Sequence, residues 1–185
     1  MENFLKKLYQ QWKHIPLRWK SGALSIIVIA GILSLPGFVQ ESSFARLHQA
    51  DLYFLDVPSV AVGQVFTVEL RVKTNGTQIN AIGFTLLYNP NYLQIMNMTT
   101  ENSFCTYYLD NTFDNQSGTV KLSCGLPKPG FLGDSLAVRL SVRALTPGDP
   151  AILADPKSVL VLANDGKGSN IVKSSPKLTL HIQQL

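Results

Sequence analysis

The chain of 185 residues carries 16 lysines and arginines against 12 aspartates and glutamates, a formal net charge of +4. Five of these basic residues and two of the acidic ones lie in residues 1–45, which leaves 16 − 5 = 11 basic and 12 − 2 = 10 acidic residues for residues 46–185. The larger part is therefore nearly neutral and lacks the basic character that nucleic-acid binding requires. About 140 residues suffice for one domain with a proper core and are too few for two.

A basic, aromatic segment opens the chain and an uncharged, apolar one follows it. Residues 1–21 contain five lysines and arginines and both tryptophans, Trp12 and Trp19. Their pattern suits either an amphipathic helix along a membrane surface or the long cationic region of a signal sequence. Residues 22–39 contain no charge, and as a helix they would span about 27 Å, close to the thickness of a hydrocarbon core. We therefore expect one transmembrane helix at residues 22–39, with residues 1–21 in the cytoplasm.

Two fates are open for this apolar segment, and both export the rest of the chain. A signal anchor would stay in place, and the long cationic region and spanning length favour it. A signal peptide would be cleaved, because Pro36-Gly37 can break a helix and Ser43-Phe44-Ala45 offers a small-x-small site. The first fate leaves a single-pass membrane protein with an extracytoplasmic C-terminal domain, and the second releases a secreted one. Residues 40–50 would form a stalk and residues 51–185 the domain.

Two alternating runs stand out between residues 62 and 93. Apolar side chains occupy every second position of each run, which gives a strand one buried and one solvated surface. We expect two strands of an antiparallel sheet, with Asn75-Gly76 as the turn between them and Asn89-Pro90 as the stop after the second. The predicted core positions are Phe66, Val68, Leu70 and Val72 in the first run and Ile82, Phe84, Leu86 and Tyr88 in the second.

The remaining strands are read from shorter runs. Residues 135–143 alternate, which predicts an inward face and an outward face that carries Ala137. Residues 158–163 are apolar at consecutive positions, which is typical of a strand covered on both sides. Residues 99–116 are rich in asparagine and aspartate, and we expect an irregular loop there. Strands are also predicted at residues 51–57, 93–98, 120–124 and 177–183. In the alternating strands at residues 135–143 and 177–183, the predicted inward residues are Leu136, Val138, Leu140, Val142, Leu178, Leu180 and Ile182.

Several short motifs follow one another in a fixed order from residue 62 to residue 160. They are a Val-Gly-Gln start, a Phe-Thr-Val-x-Leu-x-Val strand, an Ile-Asn-Ala bend, a Tyr-Asn-Pro-x-x-Leu exit, Pro129-Gly130, Gly148 and a Ser-Val-Leu strand. This order resembles that of a cohesin-type domain over about residues 51–183. The resemblance implies an all-β jelly-roll β-sandwich of about nine strands that binds dockerin domains. Some carbohydrate-binding modules share this sandwich, so the fold leaves the ligand open.

The chain has two cysteines, Cys105 and Cys124. In an oxidising exterior, two cysteines that flank a hairpin favour a disulfide over a metal or redox pair. A closed loop of about 19 residues contributes about 3 kcal/mol to stability in the chain-entropy model. The alternative is a pair of unbonded thiols in the core.

Four side chains are candidates for a binding surface. Tyr107 and Tyr108 are adjacent, so one ring faces inward and the other faces solvent, where it suits a sugar or a protein partner. Arg139 and Arg143 share the outward face of their strand and suit an acidic ligand. The alternatives are that both rings cap an open end of the sandwich and that both arginines belong to an ordinary solvated face.

Catalytic and metal chemistry find little support in the sequence. His14, His48 and His181 lie far apart, and no nucleophile elbow, ligand cluster or phosphate-binding loop is present. Residues 164–170 mix aspartate, asparagine and glycine, but they lack the closing glutamate of a calcium loop, and Asp165-Gly166 is typical of a hairpin turn. We therefore predict no catalytic residue, metal or cofactor.

The expected function is that of a membrane-anchored, extracytoplasmic binding module of cohesin type with a dockerin-like protein partner. One alternative is a carbohydrate-binding module for polysaccharide attachment or breakdown. Residues 46–185 contain no tryptophan, which weakens this reading, although Tyr92, Tyr107 and Tyr108 remain as rings for a sugar. The other alternative is a structural subunit of a surface assembly, in which sheet edges pair with neighbours.

Overall fold

The alternating runs of the sequence become strands of a β-sandwich in the computed structural model, which describes residues 49–184. The sandwich prediction is confirmed, with twelve strands in place of about nine, because some predicted strands are divided and others are only two residues long. The strands are β1 (Asp51–Phe54), β2 (Val60–Ala61), β3 (Val65–Lys73), β4 (Ile79–Leu87), β5 (Leu93–Thr99), β6 (Tyr107–Asp114), β7 (Thr119–Gly125), β8 (Asp134–Ala144), β9 (Ala151–Ala154), β10 (Leu160–Ala163), β11 (Lys177–Thr179) and β12 (Ile182–Gln183).

Two antiparallel sheets enclose the core. One has four strands in the order β1-β3-β8-β5, and the other has six, in the order β11-β9-β4-β7-β6 with β10 also paired to β4. A short parallel pair joins β12 to β2. The side chains between the sheets are apolar and almost fully buried, which is the main stabilising contribution to the fold. The largest of them are Leu70, Ile79, Ile82, Leu86, Leu93, Ile95, Leu122, Leu140, Ile152, Ile171 and Leu180.

The two runs predicted as neighbours lie in opposite sheets. β3 pairs with β1 and β8, whereas β4 pairs with β7, β9 and β10. Asn75 and Gly76 do form a turn, with φ of 49° and 90°, but this turn carries the chain across the core instead of closing a hairpin. Each run has one buried face, so the pair can cover the core from two sides as readily as from one.

A bulge in β8 changes which of its residues face the core. Leu70 pairs with Val138 and Arg71 with Leu136, so Ala137 is the extra residue between them. Ala137 is fully buried and belongs to the core cluster, whereas Leu136 is buried outside that cluster. The predicted outward position of Ala137 is therefore wrong, because an extra residue shifts the alternation by one position. Leu136 is buried as predicted.

Three other predicted segments differ from the structure. The irregular loop expected at residues 99–116 contains β6, an edge strand with a burial pattern that shows no alternation. The strand expected at residues 158–163 as covered on both sides exposes 42% of Leu160, because nothing among residues 49–184 covers that face of the sheet. The strand predicted at residues 177–183 is divided into β11 and β12, although Leu178, Leu180 and Ile182 are all buried as expected.

Within residues 49–184, no helix is long and apolar enough to cross a membrane. The transmembrane helix predicted at residues 22–39, the cytoplasmic segment at residues 1–21 and most of the stalk at residues 40–50 lie outside the described residues.

Candidate functional site

The outer face of the four-stranded sheet is covered by charged side chains that pair with one another. We call it the charged face. β3 and β8 lie side by side in this sheet, and their register places Glu69 directly opposite Arg139. β1 adds Tyr53 opposite Arg71. The members of this face that interact are Tyr53, Glu69, Arg71, Asp134 and Arg139.

A continuous chain of polar contacts runs across the charged face. The Arg139 Nη2 lies 2.7 Å from Glu69 Oε1, and the Arg71 Nη1 lies 3.6 Å from Glu69 Oε2. Arg71 also contacts Asp134, with Nη2 3.1 Å from Oδ1. The Tyr53 hydroxyl donates to Asp134 Oδ2 at 2.7 Å. Each of these polar groups thus has a partner within the protein.

The pKa values of Tyr53 and Arg71 reflect this arrangement. Partial burial, followed by the hydrogen bond to Asp134, raises the pKa of Tyr53. The neighbouring Tyr53 hydroxyl and the Asp134 carboxylate raise the pKa of Arg71. Both groups therefore keep their ordinary protonation states at neutral pH, and neither is poised for acid or base catalysis.

One part of the outer face of the six-stranded sheet, on β4, β9 and β10, has the opposite composition, and we call it the apolar face. Directly opposed residues of neighbouring strands share a face. The register therefore places together the pairs Gly83 with Leu160, Ala81 with Leu162 and Leu87 with Leu153. The apolar face is defined by these residues: Ala81, Gly83, Leu87, Leu153, Leu160 and Leu162.

Two leucines of this face are exposed to solvent, and a glycine lies near its centre. Leu160 is 42% exposed and Leu87 is 37% exposed. A Cβ added to Gly83 would lie 3.7 Å from the Ser123 Oγ and 3.9 Å from the Leu160 Cδ1, so the glycine leaves a shallow depression between these side chains. None of the ion pairs among residues 49–184 involves a residue of this face. It is therefore suited to contact with another apolar surface.

The predicted binding residues lie on two different sheets and do not form one site. Tyr107 and Tyr108 are in β6 of the six-stranded sheet, whereas Arg139 and Arg143 are in β8 of the four-stranded sheet. Tyr107 is 65% exposed, while Tyr108 packs against the core. Arg139 is bound to Glu69. Arg143 lies between Val65 and Gln94 and makes no ion pair within residues 49–184.

A disulfide joins Cys105 to Cys124, with 5.9 Å between their Cα atoms. It ties the segment before β6 to the last part of β7. Phe104, beside this disulfide, stacks on Phe131 with 4.5 Å between the ring centroids. These contacts hold the start of β6 in place.

The acidic loop at residues 164–170 is a tight turn around Asp165. The backbone N–H groups of Lys167 and Gly168 donate to Asp165 Oδ1 at 2.9 Å and 2.8 Å, and the Ser169 hydroxyl donates to Oδ2 at 2.6 Å. The Ser169 hydroxyl, followed by the Lys167 N–H, lowers the pKa of Asp165 to about 2. Because both carboxylate oxygens are engaged within the turn, Asp165 is poorly placed to bind a cation. Residues 49–184 contain no group of three or more metal-ligating side chains.

The apolar face is the candidate surface that the sequence does not predict. Leu160 and Leu162 alternate with the buried Val159 and Val161, and a run of this kind reads as a strand covered on both sides. The uncovered side is recognised only from the pairing of this run with the small outward residues Ala81 and Gly83. That pairing depends on the register between β10 and β4, which the sequence does not specify.

No protein-family model and no curated protein matches this chain, but solved structures resemble it in fold. It is similar to the cohesin module of a family 33 glycoside hydrolase from Clostridium perfringens, with a TM-score of 0.60 and 17% identity over 75% of this chain and 99% of that module. It is also similar to a type III cohesin module from the cell-surface anchoring scaffoldin ScaE of Ruminococcus flavefaciens, with a TM-score of 0.58 and 10% identity over 78% and 93% of the two chains.

A third similar structure is the sixth cohesin of scaffoldin B from Acetivibrio cellulolyticus, solved in complex with a Cel5 dockerin. Its TM-score is 0.52 at 13% identity, over 72% of this chain and 99% of that one. These similarities define the fold of residues 49–184 as cohesin-like, and the fold implied by the motif order is confirmed.

Proposed function

We propose that this protein is a non-catalytic binding module of cohesin type that holds a dockerin-like protein partner on its apolar face. The observation that carries the proposal is the contrast between the two outer faces. The five interacting side chains of the charged face are paired with one another, whereas Leu87 and Leu160 on the apolar face expose large side chains without a covering element among residues 49–184. Burying such side chains against a partner contributes about 25 cal/mol for each Å² removed from water.

The similar solved structures support the proposed partner class. The cohesin of Acetivibrio cellulolyticus is in complex with a dockerin, and its fold is the one that this chain adopts. A flat apolar face with a depression at Gly83 suits the side of a helix or a second flat surface.

Binding of a polysaccharide is less well supported by the exposed aromatic rings. Tyr107 is the tyrosine with a large exposed fraction, while Tyr92 and Tyr108 pack against the core. A sugar-binding surface needs ring faces in a row, and the exposed rings of Tyr107 and Phe113 are six residues apart along β6, about 20 Å in an extended strand. We therefore retain the protein partner as the proposed ligand.

The proposal is tested by affinity capture from an extract of the source cells. The whole chain in detergent micelles is immobilised, and the extract is applied with and without a calcium chelator. We expect capture of a protein that the chelator releases, because dockerin-like domains bind calcium through duplicated loops of their own. Retention of polysaccharide, or of nothing, would contradict the proposal.

A matched pair of variants locates the contact. Leu160→Asp places a charge at the centre of the apolar face, and we expect at least about a hundredfold loss of affinity because that charge must be desolvated on binding. Arg143→Asp makes a comparable change on the charged face and should leave capture unchanged. No loss from Leu160→Asp, or an equal loss from both variants, would contradict the assignment of the contact to the apolar face.

We further propose that residues 22–39 anchor the protein in the membrane and that residues 51–185 lie outside the cytoplasm. The uncharged span and its cationic flank support this. The test is protease treatment of intact cells, followed by membrane fractionation. We expect the domain to be digested from outside while residues 1–21 remain protected, and a protein recovered intact in the cytosol would contradict the proposal.

A further inference from the structure

The outermost strand of the six-stranded sheet, β6, has one backbone edge without a neighbouring strand in the described part of the chain. It pairs only with β7 there, and seven of its eight residues are exposed. Three of the exposed side chains are large and apolar: Tyr107 at 65%, Leu109 at 84% and Phe113 at 38%. An exposed strand edge of this kind can take up a further strand through main-chain hydrogen bonds.

Both ends of β6 are fixed, which makes the edge a rigid template. The Cys105–Cys124 disulfide holds its start. At its end, the Asn115 side chain makes two hydrogen bonds with the backbone of Ile95. Its Nδ2 donates to the Ile95 carbonyl at 2.9 Å, and its Oδ1 accepts from the Ile95 N–H at 2.8 Å. The Tyr88 hydroxyl donates to the same Oδ1 at 2.8 Å. A template that is already ordered loses little conformational entropy on binding.

The two sides of β6 differ in chemistry. Asp110, Thr112 and Asp114 lie opposite the outward residues of β7, whereas Asn111 and Phe113 lie opposite buried ones. A strand added beside β6 would therefore set one row of its side chains next to two carboxylates. It would set the other row over the partly exposed ring of Phe113.

We propose that β6 binds an extended segment of another protein, in which basic side chains on one face alternate with apolar side chains on the other. The basic row would run along Asp110, Thr112 and Asp114, with Asp110 as its main ionic partner, and the apolar row would cover Phe113. A second copy of this chain fits less well. In an antiparallel pair of β6 strands centred on Thr112, each Asp110 would face Asp114 of the other copy, and like charges directly opposite are destabilising.

Lys121 is the one basic residue of the neighbouring strand on this side, opposite Thr112. The Asp114 carboxylate already accepts from the Gln116 N–H and the Ser117 hydroxyl. Asp110 accepts no hydrogen bond within residues 49–184, so its charge is the one most available to a bound strand.

The test uses the whole chain in detergent micelles and labelled peptides of eight residues, the length of β6. One peptide alternates lysine with valine, a second alternates glutamate with valine, and a third has the composition of the first in two blocks. We expect the first to bind at least about tenfold more tightly than the other two. Hydrogen exchange of the β6 amides should slow in its presence, because new main-chain hydrogen bonds protect them.

Variants separate this edge from the apolar face. Asp110→Lys should weaken binding of the lysine peptide by about tenfold and strengthen that of the glutamate peptide. Leu160→Asp should leave peptide binding unchanged, so this inference can fail or hold independently of the proposed function. Equal binding of all three peptides, or protection outside β6, would overturn it. A dimer protected at β6 would also overturn it, because the edge would then belong to a second copy.

Discussion

The charged face and the apolar face belong to the same sandwich, yet their side chains are satisfied in different ways. On the charged face, Glu69 lies between Arg71 and Arg139, and Asp134 accepts from Tyr53 and Arg71. On the apolar face, Leu160 lies beside Gly83, and no ion pair of residues 49–184 involves the leucines of this face.

Under the proposed function, the difference explains how one sandwich can keep one side solvated and leave part of the other for a partner. A charged group that is already paired must lose its partner or its water before it can bind something else, and both losses are costly. Exposed leucines have no such partner to lose, and their removal from water is favourable. For the proposed partner, the exposed leucines are therefore more readily available than the paired charges of the charged face.

The largest expected effect is on the covalent bond that holds the edge of the six-stranded sheet. Replacing both Cys105 and Cys124 with serine should lower the free energy of unfolding by about 3 kcal/mol, because the unfolded chain regains the freedom of the closed loop. Urea denaturation of the variant and the wild type measures the difference. A reducing agent should destabilise the wild type and leave the variant unchanged. A loss below about 1 kcal/mol would show that the disulfide contributes little to the fold.

The next effect tests the internal pairing of the charged face. Glu69→Ala removes the acceptor of Arg139 and one acceptor of Arg71, and we expect the free energy of unfolding to fall by about 1–2 kcal/mol. Thr67→Ala, two residues away on the same strand and exposed, is the control and should change it by less than about 0.5 kcal/mol. Salt at about 1 M should reduce the Glu69 effect. Equal effects of the two variants would contradict the pairing.

The sequence predicts the core of this sandwich well because burial on one face imposes a period of two. Val68, Leu70 and Val72 in β3, and Ile82, Phe84 and Leu86 in β4, are assigned to the core from alternation alone, and all are buried. The sheet to which each strand belongs is not predictable in this way. A turn such as Asn75-Gly76 has the same local chemistry whether it closes a hairpin or crosses the core.

The candidate surfaces are harder to predict from the sequence than the core, because they depend on which strands are neighbours. The alternation of Leu160 with Val161 does not reveal that one side is uncovered. The sequence predicts a loop where β6 lies, because an edge strand has little buried surface to impose alternation. The sequence predicts that Tyr107 and Tyr108 face opposite sides, which requires only that their segment is extended. In the structure, Tyr107 faces solvent and Tyr108 packs against the core.

The acidic turn at Asp165 provides a test that depends on pH. Hydrogen bonds from Ser169 and Lys167 lower the pKa of Asp165 from 3.8 to about 2, so its ionised form stabilises the folded state. That contribution is present above pH 3.8 and is lost as the pH falls towards about 2. The melting temperature of the wild type should exceed that of Asp165→Asn at pH 7, and the gap should close over this range. A gap that is independent of pH would contradict the shifted pKa.

The smallest expected effect is on Leu160, and it decides whether the apolar face is a binding surface or part of the core. Leu160→Ala should change the free energy of unfolding by less than about 0.5 kcal/mol, because the side chain is already partly in water. Val161→Ala, at the adjacent and fully buried position, should cost about 2 kcal/mol. Thermal and urea denaturation of both variants measure the contrast. If Leu160→Ala costs as much as Val161→Ala, the face contributes to folding as the core does, and the distinction between the two outer faces fails.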